Sequence, residues 1–352
     1  MMLGWSRDGA SRRATRASRQ AVPAPAGRMT ARSALAASIG TAAALLAAAV
    51  LAVGAHPAPA RAQPFSARTV SAVSAVSAGS SVSCTAATAA HRALASRLEK
   101  GITKALSGRS GVVAVALADS KTRVRCAFRP FWHFHSASIV KVIILGTLLH
   151  DLAVKHQFLT SREVTLTTEM ITESDNDAAS ALWSQLGMTK LRHFLRLAKM
   201  THTKLGQDGF WGLTQVTAGD QLILLRLLTF RNSVLDQRSR AYALKLMARV
   251  IASQRWGVPA GAPASITVHV KNGWLPDPEL WVINSIGAFT SAHRVYRIVV
   301  LTRGDPSMTY GIDTVQNVAE VIHRDLNPGQ RPAVLPSRPF PAWGTPDERI
   351  PR

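Results

Sequence analysis

Acidic residues are scarce in this 352-residue chain: 20 Asp and Glu stand against 42 Lys and Arg, a formal net charge of +22 at pH 7. So one-sided a balance raises the question of nucleic acid. The arginines are scattered, however, and no finger, helix-turn-helix or aromatic-basic motif accompanies them, so no nucleic-acid partner is expected. Attraction to an anionic cell-wall or membrane surface suits the charge better. Cysteine is almost missing too. Two residues, Cys84 and Cys126, are too few for a disulfide-rich scaffold. No Cys/His pair has zinc-ligand spacing, and His133-Phe134-His135 is too short a signal, so neither metal nor cofactor is expected. In an exported chain an even, sparse count suggests one disulfide, here joining the start of the first helix to a strand; two separate buried thiols are the alternative.

Charge disappears altogether from residues 33–55, an Ala/Leu-rich run. Eight arginines and one aspartate lie within the first 62 residues, and Pro57, Pro59 and Ala60-Arg61-Ala62 follow the run. Basic region, apolar region and small residues at a cut make a signal-peptide layout, with cleavage placed after Ala62 and export as the consequence. The run is long enough to span a bilayer, so an uncleaved membrane anchor is the alternative, although its alanine richness makes it a poor permanent span. Loss of those eight arginines and one aspartate would leave a net charge of +15. Residues 63–87 form a small-residue, low-complexity linker, and residues 327–352, with seven prolines, form an extended tail. Residues 88–326 remain for a single domain, expected to act as a monomer.

Within that domain the apolar spacing predicts a helix over 88–106, with Leu94, Leu98, Ile102 and Leu106 four apart, then strands at 111–118 and 124–128. Residues 159–244 are largely helical, broken by loops near 172–176 and 201–215. Thr217 with Asp220 has the form of an N-cap and first-turn acid ahead of an apolar helix. Strand patterns return at 266–270, 280–289 and 296–302, and a last helix covers 314–324. The order implies a two-lobe α/β (α+β) fold: an antiparallel sheet built from both chain ends and flanked by helices, with an all-helical lobe inserted over about 145–250.

One helix is odd. From residue 139 to 149 its only charged side chain is Lys141, so it is apolar nearly all round, as a central helix would be. Ser138 stands three residues before Lys141 and shares its face. A desolvated amine loses its proton readily and can then accept the one on a serine hydroxyl, which makes Ser138 a candidate nucleophile. Backbone N–H groups at the helix start would face an oxyanion formed there. Alone, Ser-x-x-Lys is a weak signal, but Ser174-Asp175-Asn176 follows in a lobe loop and Lys271-Asn272-Gly273 at the end of a strand pattern.

In the order Ser-x-x-Lys, Ser-Asp-Asn, Lys-x-Gly, residues 88–326 resemble the penicillin-recognising serine hydrolases, specifically class A β-lactamases and their penicillin-binding relatives. The resemblance implies that Ser138 is acylated, that Lys141 accepts or relays its proton, and that Ser174 passes a proton to the departing nitrogen. It further implies that Asn176 binds the substrate's side-chain amide and that Lys271 attracts its carboxylate. Gly273 would let substrate lie against the strand, and the N–H groups of Ser138 and Trp274 would form the oxyanion hole. The substrate would be a β-lactam or a related cell-wall peptide amide. A D-Ala-D-Ala peptidase and a non-catalytic wall-binding module with a relic site are the other readings.

Two departures stand out. Asn272 replaces the usual Thr or Ser, offering a carboxylate an amide in place of a hydroxyl. Residues 201–216, where class A enzymes place a catalytic glutamate, contain no Glu, and Asp208 is the only carboxylate. Without a base to activate water an acyl-enzyme would persist. The span from Ser138 to Ser174 is also shorter than in typical class A enzymes, which implies a reduced lobe.

Overall fold

The computed structural model describes residues 81–277 and 280–334. The expected signal segment, most of the linker and most of the tail lie outside the described residues.

In chain order the elements are β1 (Ser83–Ala86), α1 (Arg92–Leu106), β2 (Val112–Asp119), β3 (Val124–Phe128), β4 (Phe134–His135), α2 (Lys141–Val154), α3 (Ser161–Thr172), α4 (Asn176–Leu197), β5 (Gln215–Val216), α5 (Ala218–Thr229), α6 (Gln237–Ala248), β6 (Thr267–Asp277), β7 (Leu280–Ser291), β8 (Arg294–Asp305) and α7 (Met308–Leu326). Six strands form one antiparallel sheet in the order β1-β3-β2-β8-β7-β6, and β4 pairs with β5 apart from it. Both chain ends therefore supply the sheet and the helices between them supply a lobe, as the sequence order implied.

Two cores follow from strand alternation. Val113, Val115 and Leu117 of β2 meet Leu98 and Ile102 of α1 and Ile312 and Val315 of α7 on one face. Ala114 and Ala116 turn the other way, towards α2, α4, α5 and α6. α2 continues from the turn before it, and residues 137–154 are long and apolar enough to cross a membrane; 67% of that stretch is buried within the fold. Lobe helices start where local chemistry allows. Thr160 and Glu163 form a reciprocal capping box for α3, and Thr217 accepts from Asp220 N at 3.2 Å to start α5. Asp220 itself is buried and also accepts from His202 N and Thr203 Oγ1, so the same acid pins the loop ahead of α5.

Cys84 and Cys126 are bonded. Cys84, however, is not at the start of the first helix: Ser83–Ala86, inside the stretch read as linker, is an edge strand, and the two cysteines are direct cross-strand partners of β1 and β3. Four residues without bulky side chains carry too little apolar pattern to read as a strand, and pairing with β3 decides their conformation. The start of the tail is also tied down, with Ala333 N donating to Ala262 O at 2.7 Å.

Candidate active site

Lys141 opens α2 with a relative exposure of 0%. Ser138, half-buried, precedes it on a 3-10 turn, Ala137–Val140, whose other residues are buried and which is entered through Ala137 at φ 45°. Three segments far apart in sequence hold this turn. Ser136 N donates to Thr214 O at 2.8 Å and Ser136 Oγ to Gly212 O at 3.2 Å. From β7, Asn284 Nδ2 donates to His135 O at 2.8 Å and Ser136 O at 3.1 Å. A side chain added at Gly273 would lie 2.8 Å from Ser136 O, 2.8 Å from Ser138 N and 2.9 Å from Ile139 N. Glycine is therefore required there by the protein's own turn, a more direct reason than room for substrate.

β6 does not end near residue 270; it runs on to Asp277 along the sheet edge. Its alternation sends Lys271 and Gly273 to the face carrying Ser138 and sends Asn272 to the other. The Asn272 amide donates to Gln254 O at 2.8 Å and Trp256 O at 2.9 Å and accepts from Ser285 Oγ at 2.6 Å. Fully buried and fully hydrogen-bonded, it is not available to a substrate carboxylate, contrary to the expectation from its place between Lys271 and Gly273. Asn272→Ala should lower stability by about 1–3 kcal/mol, because two carbonyls lose their donor, and leave any preference for carboxylate-bearing ligands unchanged. Urea denaturation alongside a ligand series measures both.

Ser174 ends the space between the lysines. It adopts the left-handed region at φ 65°, unusual for a side-chain-bearing residue, and Asp175 beside it caps α4 through Ala178 N at 2.7 Å. Lys271 Nζ lies 2.9 Å from Ser174 Oγ, and Lys141 Nζ lies 3.2 Å from the same oxygen. Lys141 Nζ also donates to Ser174 O at 2.5 Å and Asn176 Oδ1 at 2.7 Å, and Lys271 Nζ to Asn272 O at 3.0 Å. Burial, then the neighbouring charge of Lys271, holds Lys141 well below the usual lysine range, and burial brings Lys271 down to about 7. Two ammonium groups sharing one hydroxyl repel, which adds to the lowering at Lys141. An uncharged Lys141 would keep its bonds to Ser174 O and Asn176 Oδ1 and could take the Ser174 hydroxyl proton on its lone pair.

No hydrogen bond joins Lys141 to Ser138; the amine is spent on Ser174 and Asn176 instead. Asn176 is exposed, with its oxygen committed to Lys141. Trp274 is half-buried, its ring 5.8 Å from that of Trp256. The loop ahead of α5 delivers to the site a residue that sequence reasoning passed over. The Trp211 ring centroid lies 4.8 Å from Lys141 Nζ, and its Nε1 donates to Ser180 Oγ at 3.1 Å. Asp208 is exposed at φ 51°. The one signal for Trp211 was its place in the glutamate-free loop; Asn284, in the Asn284-Ser285-Ile286-Gly287 run on the strand after Lys271, lies opposite Gly273.

A family model described as the β-lactamase enzyme family matches residues 159–326, the stretch holding Ser174 and Lys271. Solved structures agree on the fold. A variant of the last common ancestor of Gram-negative bacterial class A β-lactamases is 21% identical with a TM-score of 0.56, covering 64% of this chain and 96% of that one. A β-lactamase from Xanthomonas campestris pv. campestris gives 19% and 0.57, covering 65% and 97%. The TLA-3 extended-spectrum β-lactamase gives 14% and 0.59, covering 66% and 98%. The fold is that of the class A β-lactamases, and residues 159–326 match the β-lactamase enzyme family. No curated protein matches the sequence. The chain carries the serine turn, the lobe loop and the lysine strand in the order Ser138, Ser174, Lys271, and places an indole against the first lysine.

Proposed function

We propose that this chain is an exported serine hydrolase whose Ser138 is acylated by β-lactams or related amides, with slow release of the acyl group. The observation that carries this reading is the Lys141–Ser174–Lys271 chain, in which one half-buried hydroxyl bridges two buried lysines of lowered pKa. Ser138 Oγ attacks the amide carbon as its proton passes to an uncharged Lys141 that has turned from Ser174 towards it, and the C–N bond breaks as Ser174 protonates the departing nitrogen, refilled from Lys271 or Lys141. The N–H groups of Ser138 and Trp274 are assigned to the oxyanion. Deacylation needs a base for water. Trp211 beside Lys141 supports its being slow, since an aromatic face cannot take a proton. That same residue favours, as second reading, a penicillin-binding D-Ala-D-Ala peptidase over an efficient lactamase. The disulfide supports export to an oxidising compartment.

Nitrocefin kinetics with intact-mass measurement test the proposal. A stoichiometric burst and a stable adduct, both absent in Ser138→Ala, are expected; an unmodified wild-type serine would leave only a binding role. Capture of carboxylate-bearing penicillins should weaken as pH rises through about 7, because Lys271 is cationic below that value and loses its charge above it. Second-order acylation rates measured across pH would show no descending limb near 7 if Lys271 did not bind the carboxylate.

A further inference from the structure

A second group of cations lies on the lobe-side face of the sheet. Arg297 of β8 is the direct partner of Ala118 of β2, and Ala118 is the direct partner of Arg125 of β3, so all three side chains share one face in one row. Ala288 of β7 flanks Arg297 on its other side. Two alanines put no bulk beside the guanidinium at the level of the sheet. α5 packs over β2 and β8 and contributes Arg226, and the Phe230 ring just past its end lies 5.1 Å from Arg297 Cζ.

Arg297 is only 7% exposed, and its Nε is buried without an acceptor. Among the described residues it forms neither a hydrogen bond nor an ion pair. Burial foremost, then the charges of Arg226 and Arg125, brings it down to about 10. Asp119 is the one carboxylate whose charge reaches it, and Asp119 is held by Arg294 in a two-pronged pair at 2.7 and 2.8 Å. A buried guanidinium with an unpaired Nε, repelled by the charges of the exposed Arg226 and Arg125 while its nearby carboxylate is held by Arg294, is unfavourable with nothing bound. A bound anion resolves the conflict.

We propose that Arg297, Arg226 and Arg125 form a binding site for a phosphoryl group, as an inorganic phosphate or a phosphate ester. Guanidinium groups from three elements suit an anion with oxygens in three dimensions and up to two charges better than a planar carboxylate. Phe230 supplies an apolar wall for an ester's organic part.

The test uses the full chain with sodium phosphate at constant ionic strength, followed by calorimetric titration and thermal shift. Saturable binding is expected in the wild type and in Arg97→Gln, which removes an exposed α1 charge as a control for general basicity. Binding should weaken by at least about tenfold in Arg297→Gln and in Arg226→Gln, the latter an exposed position that tolerates substitution if the buried one does not. No saturable binding in the wild type, or equal affinity in all the variants, overturns the proposal. Vesicles of phosphatidylglycerol against phosphatidylcholine identify the source. Sedimentation with the anionic vesicles that both arginine variants lose points to a lipid headgroup, and phosphate binding without it to a soluble phosphate.

Discussion

Lys141→Met is expected to slow acylation by about 10³-fold, within the range ascribed to a positioned general base, while the protein stays folded. The two effects separate because the lysine is costly where it stands. A lysine whose native pKa lies far below the unfolded one is protonated more readily in the unfolded chain; it therefore destabilises the fold at neutral pH, a penalty that fades as pH rises towards the ordinary lysine value. Methionine has similar length and no charge to desolvate. Against this gain, Ser174 O loses a donor at a cost of about 1–3 kcal/mol, while the exposed Asn176 can turn to water. Net stability should change by less than about 1 kcal/mol. Melting curves beside penicillin acylation rates decide it: a melting temperature that falls with the rate would make Lys141 a structural prop.

Gly273→Ala should cost about 10²-fold in acylation and about 1–3 kcal/mol in stability. The added methyl would lie inside the contact distance of three backbone atoms of the serine turn. Neither side can retreat cheaply. β6 is held by β7 along its length, and the turn is held by Thr214 and by Asn284. The displacement therefore falls on Ser138 N and on the geometry of its hydroxyl, whereas an obstruction to substrate alone would weaken binding with little loss of stability. A variant with wild-type unfolding midpoint and only a raised apparent binding constant would contradict this account.

Much of the fold was legible in the sequence because its signals are local. Residues 88–128 carry a 3.6-residue apolar period and then an unbroken apolar run closed by a polar turn, and Thr217 with Asp220 marks α5 by chemistry within one turn. β1 was hidden, since Ser83–Ala86 has no apolar period and owes its form to a partner more than forty residues away. At the site, the residues in motifs were found and their neighbours were not. Lys141, Ser174 and Lys271 share one hydroxyl, and the Ser138 turn packs against Gly273 beside them. Spacing alone could not say that alternation turns Asn272 away, that Gly273 accommodates backbone, or that Lys141 bonds Ser174 in preference to Ser138, since each depends on which face a side chain takes and on what else competes for it. Trp211 carries no motif, and only its packing against an amine marks it.

The middle of the sheet has a consequence for how the molecule is made. β2 is flanked on its inner side by β8, so residues 112–119 wait for residues 296–303 before the central pair can close. Contacts of such long separation form slowly. A polypeptide leaving the ribosome, or threading a pore, cannot complete this domain until nearly all of it has emerged. The serine turn, which borrows supports from residues 214, 273 and 284, takes its working shape only as assembly finishes.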